Sequence, residues 1–269
     1  MNNNIALIAG EGALPLAIAQ KLDKPLILTL RRSRSEAESL EAYAGKLVCM
    51  NSPNLGRCVR EIKNFGADTL IMAGRVPKRF IYSMPLVILF DKLTRDIIRQ
   101  SSRDDHSLLG AIVKVFEREG IKVMPYWQIL PEFIAAQGKL SSREPSLNEF
   151  KDINYAKEIL RVTLPCSFGQ AIAVSGGCVL AVEAMEGTDE MIKRAGNLLG
   201  RKSSGVVVKM IRQDQDLRYD LPTIGIKTIE LMHEAGLTCL AVEAGKTLII
   251  EPDETLNLAG KYNIAVWGI

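Results

Sequence analysis

The sequence predicts an α/β protein, with an N-terminal Rossmann-like domain on a parallel sheet and a C-terminal α+β domain. Three observations carry this reading. Short apolar runs alternate with helical patterns through the first half, a rhythm that implies βαβ units. Residues 138–148 (GKLSSREPSLN) mix Ser, Pro and Gly and interrupt every periodic pattern. Beyond them, paired strands around glycine turns replace the βαβ rhythm. The expected domains are therefore 1–140 and 141–269.

Taken in order, residues 4–9 read as a strand, 14–22 as a helix and 25–30 as a second strand. A charged helix at 35–44 follows, then a strand at 47–50, a helix at 55–65 and a strand at 68–73. Two further helices, 86–98 and 107–119, precede a strand at 121–124. The second half opens on a helix at 149–161. Residues 170–174 and 178–184 flank Ser175-Gly176-Gly177, a hairpin pattern. Residues 237–243 and 247–251 repeat it. Both hairpins contain Ala-Val-Glu-Ala, at 181–184 and 241–244, and helices at 189–199 and 253–261 come after them. Four shared residues are a weak sign of duplication.

Composition narrows the function classes. Of the 269 residues 47% are apolar and 24% charged, which suits a globular chain with a sizeable core. The longest uncharged apolar stretch, 84–90, is far short of the roughly 18 residues that a spanning helix needs. The Met-Asn-Asn-Asn start is unlike a signal peptide, so a cytoplasmic location is expected. Five cysteines without CxxC spacing point to buried free thiols. Two histidines exclude a His-rich metal centre, including the dimetal sites of many phosphoesterases. Any metal must sit on oxygens, which favours Mg²⁺, Mn²⁺ or Ca²⁺. Residues 1–140 carry 20 Lys+Arg against 14 Asp+Glu, and residues 141–269 carry 14 against 17. An anion met by the first half and a cation held by the second is one reading; chance variation in solvated surface is the other.

Several motifs bear chemistry. Gly10-Glu11-Gly12 follows the first strand and precedes a helix, where backbone N–H groups can meet a phosphate. Pro15 stands where the third glycine of a dinucleotide fingerprint belongs, and Arg31, Arg32 and Arg34 replace the usual acid after the second strand. A tight turn explains the glycines equally. Gly74 to Arg79 brings three cations to another strand end, either a phosphate grip or a solvated loop. The apolar run 84–90 suits acyl chains, a membrane surface or a buried helix. Asp104 and Asp105 can cap the next helix; His106 beside them is either a base or ordinary surface. Residues 214–225 (DQDLRYDLPTIG) are the most informative. Three carboxylates within seven residues, around Arg218, are costly unless they face water or a cation. Thr223 can cap the helix that follows. Glu183, Glu186 and Asp189 form a second acidic group, with Glu243 in the corresponding place of the later hairpin; Thr188 and Asp189 can act as helix caps.

These blocks resemble a known family. Ser167-Phe-Gly-Gln-Ala171, Leu180 to Asp189 (LAVEAMEGTD), Lys209, Asp216 to Gly225 (DLRYDLPTIG) and Leu240 to Gly245 (LAVEAG) occur in this order. With Ile8 to Pro15 and Asp104-Asp105, they closely resemble the UDP-2,3-diacylglucosamine pyrophosphatases that are unrelated to calcineurin-like phosphoesterases. The resemblance implies hydrolysis to UMP and 2,3-diacylglucosamine 1-phosphate in lipid A biosynthesis. It also implies Mg²⁺ or Mn²⁺, and action at the cytoplasmic face of the inner membrane with peripheral contact. The substrate is expected in a cleft between the two domains. Asp220, Asp216 and Arg218 are then the catalytic candidates, with Asp220 favoured as the essential aspartate. Asp216, Asp220, Glu183 and Glu186 are the metal candidates. Gly10, Glu11, Gly12, Asp104, Asp105, Gln170, Thr188 and Lys209 are the ligand-binding candidates. No nucleic-acid partner is expected. Two other classes remain open from the residues alone: an NADP-linked reductase or nucleotide-binding regulator using Gly10, Gly12, Arg31 and Arg32, and a lipid or membrane adaptor around 84–90. Neither needs Asp216 or Asp220.

Overall fold

The computed structural model describes residues 4–30, 34–50, 54–74, 93–95, 97, 105–166, 169–200, 204–212 and 215–269. The chain divides into two units. One comprises residues 1–130 with Asp216–Tyr219, the other Pro131–Gln215 with Asp220–Ile269.

The first unit alternates β1 (Ile5–Ala9), α1 (Leu14–Lys21), β2 (Leu26–Leu30), α2 (Arg34–Glu41), β3 (Lys46–Met50), α3 (Leu55–Phe65) and β4 (Thr69–Ala73). After α4 (Asp105–Arg118) comes β5 (Lys122–Val123). The sheet runs β3-β2-β1-β4-β5 with every pair parallel, so the order turns back between β1 and β4. Parallel strands covered on both faces are continuous apolar runs, and Thr-Leu-Ile-Met-Ala of β4 is buried throughout. Local chemistry sets the helix ends. Asn54 accepts the Arg57 N–H at 2.7 Å, and Gly66 ends α3 at φ 76°. Each strand and helix expected between residues 4 and 73 is present, with its ends displaced by three residues or fewer. In the predicted helix 86–98, residues 93–95 and 97 are helical. The basic loop 75–79 and the apolar run 84–90 lie outside the described residues.

The second unit holds a six-stranded mixed sheet, β6-β13-β11-β9-β7-β8. Its strands are β6 (Gly138–Lys139), β7 (Ala171–Ser175), β8 (Cys178–Val182), β9 (Val206–Lys209), β11 (Cys239–Val242) and β13 (Ala265–Gly268). A separate parallel pair joins β10 (Thr223–Ile224) to β12 (Leu248–Ile249). The helices are α5 (Leu147–Thr163), α6 (Thr188–Leu198), α7 (Ile226–Glu234) and α8 (Pro252–Lys261). Strand alternation sorts the core into two faces. Ala171, Ala173, Ala181, Val207, Leu240 and Val242 pack with α6, α7 and α8. Ile172, Val174, Val206, Val208, Cys239 and Ala241 pack with α5. Ser146 and Glu149 form a reciprocal capping box at the start of α5.

Five expectations need correction. The first hairpin forms, with Gly176 and Gly177 at φ 58° and 75°, but the second does not. β11 is buried along its whole length between parallel β9 and β13, so it has no free edge for residues 247–251, and β12 pairs with β10 instead. Thr223 lies in β10 and donates to the Leu221 carbonyl at 3.1 Å, while Gly225 caps α7. Gly187, at φ 84°, caps α6, so Thr188 and Asp189 fall in its first turn. All five cysteines are free, but Cys49, Cys166 and Cys178 are exposed because each sits on an outward strand position or in a surface turn. Residues 138–148 also carry structure, since Gly138–Lys139 pairs antiparallel with β13.

Candidate active site

Alternation along β9 puts Val206 and Val208 against α5 and Val207 against α6, so Lys209 continues the α6 face. The same count along β8 carries Glu183 to that face. Both side chains are buried, Lys209 at 7% and Glu183 at 8% exposure. They do not meet directly. The Lys209 Nζ donates to Thr188 Oγ1 and to the Thr223 carbonyl, both at 3.2 Å. The Thr188 hydroxyl donates to Glu183 Oε1 at 2.9 Å, and the Gln170 backbone N–H donates to Glu183 Oε2 at 3.2 Å. Gly169 lies against this carboxylate's own backbone: a Cβ there would stand 2.0 Å from the Glu183 carbonyl oxygen. Burial pushes the Lys209 ammonium below its ordinary pKa, against the opposing pull of Glu183, Asp189 and Asp220. An ammonium has three N–H donors, and two are used among the described residues. The buried Gln170 Oε1 has no hydrogen-bond partner among the described residues.

The acidic loop is shared between the units. Asp216–Tyr219 belongs to the first, and Asp220 to the second. Arg218 closes on Asp216 with its Nε at 2.9 and 3.0 Å from the two carboxylate oxygens, its Nη2 at 2.6 Å from Oδ2 and its backbone N–H at 3.0 Å from Oδ1. Its Nη1 reaches Glu117 Oε1 at 2.5 Å. The guanidinium bonds hold Asp216 below the usual carboxylate range and raise Arg218 in turn. The Asp220 carbonyl accepts from Gln215 Nε2 at 2.9 Å.

In the first unit, Gly10 donates its N–H to the Ala73 carbonyl at 2.7 Å, and Gly12 has φ 103°. Gly74 is the glycine that sequence reasoning undervalued. A Cβ there would stand 2.7 Å from Gly10 C and from Pro15 Cγ, so β4 and the Gly10–Pro15 turn touch only because it has none. Asp104 lies outside the described residues. Asp105 begins α4, and the side chains of Asp105 and His106 are likewise outside the description.

Known proteins now bear on this arrangement. Residues 4–133 match the model of the LpxI N-terminal domain, and residues 136–267 match that of the LpxI C-terminal domain. The chain belongs to the LpxI family. A curated relative, "UDP-2,3-diacylglucosamine pyrophosphatase LpxI" of Caulobacter vibrioides, is 30% identical over 273 residues, covering 98% of this chain and 97% of its own. Among solved structures, the biotin carboxylase subunit of pyruvate carboxylase overlaps 64% of this chain and 35% of its own at 11% identity. Its TM-score is 0.26, too low to bear on the LpxI fold.

Three of the four carboxylates expected to hold a metal in this LpxI chain have other partners. Arg218 occupies Asp216, Thr188 and Gln170 occupy Glu183, and Arg194 pairs with Glu186. Asp189 pairs with Lys227 at 2.5 Å, and Glu243 accepts from the Ile211 N–H and from Lys246. Among the described residues, no three Asp, Glu, His or Cys side chains converge. Among the described residues the arrangement forms no resident metal cage, and no chemistry below runs through one. Among the described residues, no helix is long and apolar enough to cross a membrane.

Proposed function

We propose that this LpxI chain hydrolyses UDP-2,3-diacylglucosamine to UMP and 2,3-diacylglucosamine 1-phosphate, a step of lipid A biosynthesis. The end-to-end likeness to the Caulobacter pyrophosphatase carries the proposal. The geometry supports it: Lys209 is a buried cation at the end of β9 with two of its three donors used among the described residues, and a phosphate oxygen is its natural complement. In this reading Lys209 and Gln170 bind the sugar phosphate, and Thr188 holds the Lys209 ammonium beside it. The first unit, read as Rossmann-like from its β3-β2-β1-β4-β5 order, offers the turn Gly10-Glu11-Gly12 to the nucleotide phosphate. Asp105 and the neighbouring Asp104 belong to the same ligand set by family likeness. Asp220 is the proposed essential aspartate, and Arg218 with Asp216 braces the loop that carries it. A water oxygen bonds to the sugar-side phosphorus, the bridging P–O bond breaks, UMP departs, and the water's proton passes to solvent.

Mg²⁺ or Mn²⁺ is proposed as the companion of the pyrophosphate, not as a resident of the protein. EDTA then abolishes turnover, and Mg²⁺ or Mn²⁺ restores it without zinc. Full activity after exhaustive EDTA treatment contradicts this. The direct test of the function is UMP release from UDP-2,3-diacylglucosamine by the purified chain. The absence of UMP at micromolar enzyme refutes it. Contact with the cytoplasmic face of the inner membrane is part of the proposal and is checked by co-sedimentation with anionic vesicles.

A further inference from the structure

We propose that Glu183 is a positioning residue. Through Thr188 it fixes the Lys209 ammonium so that one N–H stays available to a phosphate oxygen. It is not a metal ligand. The proposal rests on the pyrophosphatase reading for its substrate and on geometry for the relay.

The polarity of the relay is set by proton count. A threonine hydroxyl has one hydrogen, and Thr188 gives it to Glu183 Oε1 at 2.9 Å. Its lone pairs are therefore left to accept, and Lys209 Nζ at 3.2 Å donates to them. The second carboxylate oxygen is held by the Gln170 N–H, and Gly169 admits the close backbone contact that keeps Glu183 in place. No ion pair within 4.0 Å joins Glu183 to Lys209 among the described residues. A direct pair would satisfy the ammonium and close it to ligand. At one remove, the carboxylate compensates the buried charge while leaving a donor unused. With both oxygens of Glu183 already engaged, a metal would have to break the relay to bind there.

The test uses the full-length chain with UDP-2,3-diacylglucosamine and Mg²⁺. The variants are Glu183→Gln, Thr188→Val, Thr188→Ser and Lys209→Met, with the double variant Glu183→Gln/Lys209→Met. Glu183→Gln and Thr188→Val are each expected to lower kcat about tenfold or more, with KM changed by less than about threefold. Thr188→Ser, which keeps the hydroxyl, restores most of the rate. The double variant is no slower than Lys209→Met alone, because the two residues act as one unit. The Mg²⁺ concentration for half-maximal rate stays within about twofold of wild type in Glu183→Gln. Multiplicative losses in the double variant overturn the relay, as does a Mg²⁺ demand raised about tenfold. Should Glu183→Gln fail to fold, the two Thr188 variants carry the test. A crystallographic readout stands apart from activity: Nζ stays on the Thr223 carbonyl in Thr188→Ser and leaves it in Thr188→Val. An unmoved Nζ in Thr188→Val overturns the relay even if the wild type releases no UMP, an outcome that by itself removes only the functional reading.

Discussion

Ala-Val-Glu-Ala occurs twice in the second unit, and its two glutamates end in different places. In the first copy Ala181 packs on the α6 face and Val182 on the α5 face, so Glu183 returns to the α6 side. In the second copy Ala241 packs on the α5 face and Val242 on the α6 face, so alternation sends Glu243 the other way. One string in opposite phase faces opposite sides of one sheet. Glu183 is buried and meets the Thr188 hydroxyl and a backbone N–H. Glu243 is half-open, and its partners are the Ile211 N–H and Lys246 at 2.8 Å, three residues along the chain. A carboxylate's task here follows from register and neighbours, not from the residues beside it in sequence.

The largest effects are expected on the Glu183 side. Lys209→Met and Asp220→Ala should each lower kcat/KM by about 10²-fold or more, as losses of charge stabilisation commonly do. Lys209→Met should lower the thermal midpoint, since it leaves the buried Glu183 carboxylate without its compensating charge. Turnover within a few-fold of wild type in either variant breaks the assignment. The comparison itself is broken or sharpened by paired variants. Glu183→Gln should cost about tenfold in kcat, and Glu243→Gln less than about twofold, because a partly exposed i,i+3 pair contributes little and a glutamine can still accept the Ile211 N–H. Equal losses would show that phase does not decide the role.

A smaller effect concerns stability. The Glu149 carboxylate, buried under Arg143, accepts from Arg143 at 2.8 and 2.9 Å, from Thr238 at 2.6 Å and from the Ser146 N–H. Burial works against its charge, yet these bonds prevail and lower its pKa to about 2. A carboxylate depressed in the folded state stabilises above its unfolded pKa, and that contribution is lost as pH falls towards the folded value. The stability advantage of wild type over Glu149→Gln should therefore be about 3 kcal/mol near neutral pH. It should shrink as pH falls from about 4.5 towards about 2. Urea melts across that range check it; a constant difference contradicts it.

What could be read from the sequence follows the same division. The first unit was legible because its strands are plain apolar runs between capped helices, as with Asn54 before α3 and Gly66 after it. The second hairpin was misread because residues 237–243 look like an edge strand, while pairing on both sides makes β11 central. Lys209 closes a run of three valines, which in sequence resembles a strand emerging into water. Its burial depends on Thr188 and on the Thr223 carbonyl, which are distant in the chain. The acidic residues were visible, but not their partners. Arg218 stands two residues from Asp216 and takes both of its oxygens, and Glu117 joins from 101 residues away. Gly74 and Gly169 act through contacts that no local pattern records.

Hydrolysis of UDP-2,3-diacylglucosamine in ¹⁸O-water, with both products weighed by mass spectrometry, tests the central claim most directly. The account predicts unlabelled UMP and one ¹⁸O in the phosphate of 2,3-diacylglucosamine 1-phosphate. Label in UMP would contradict attack at the sugar-side phosphorus, and a reaction that yields no UMP would contradict the pyrophosphatase itself.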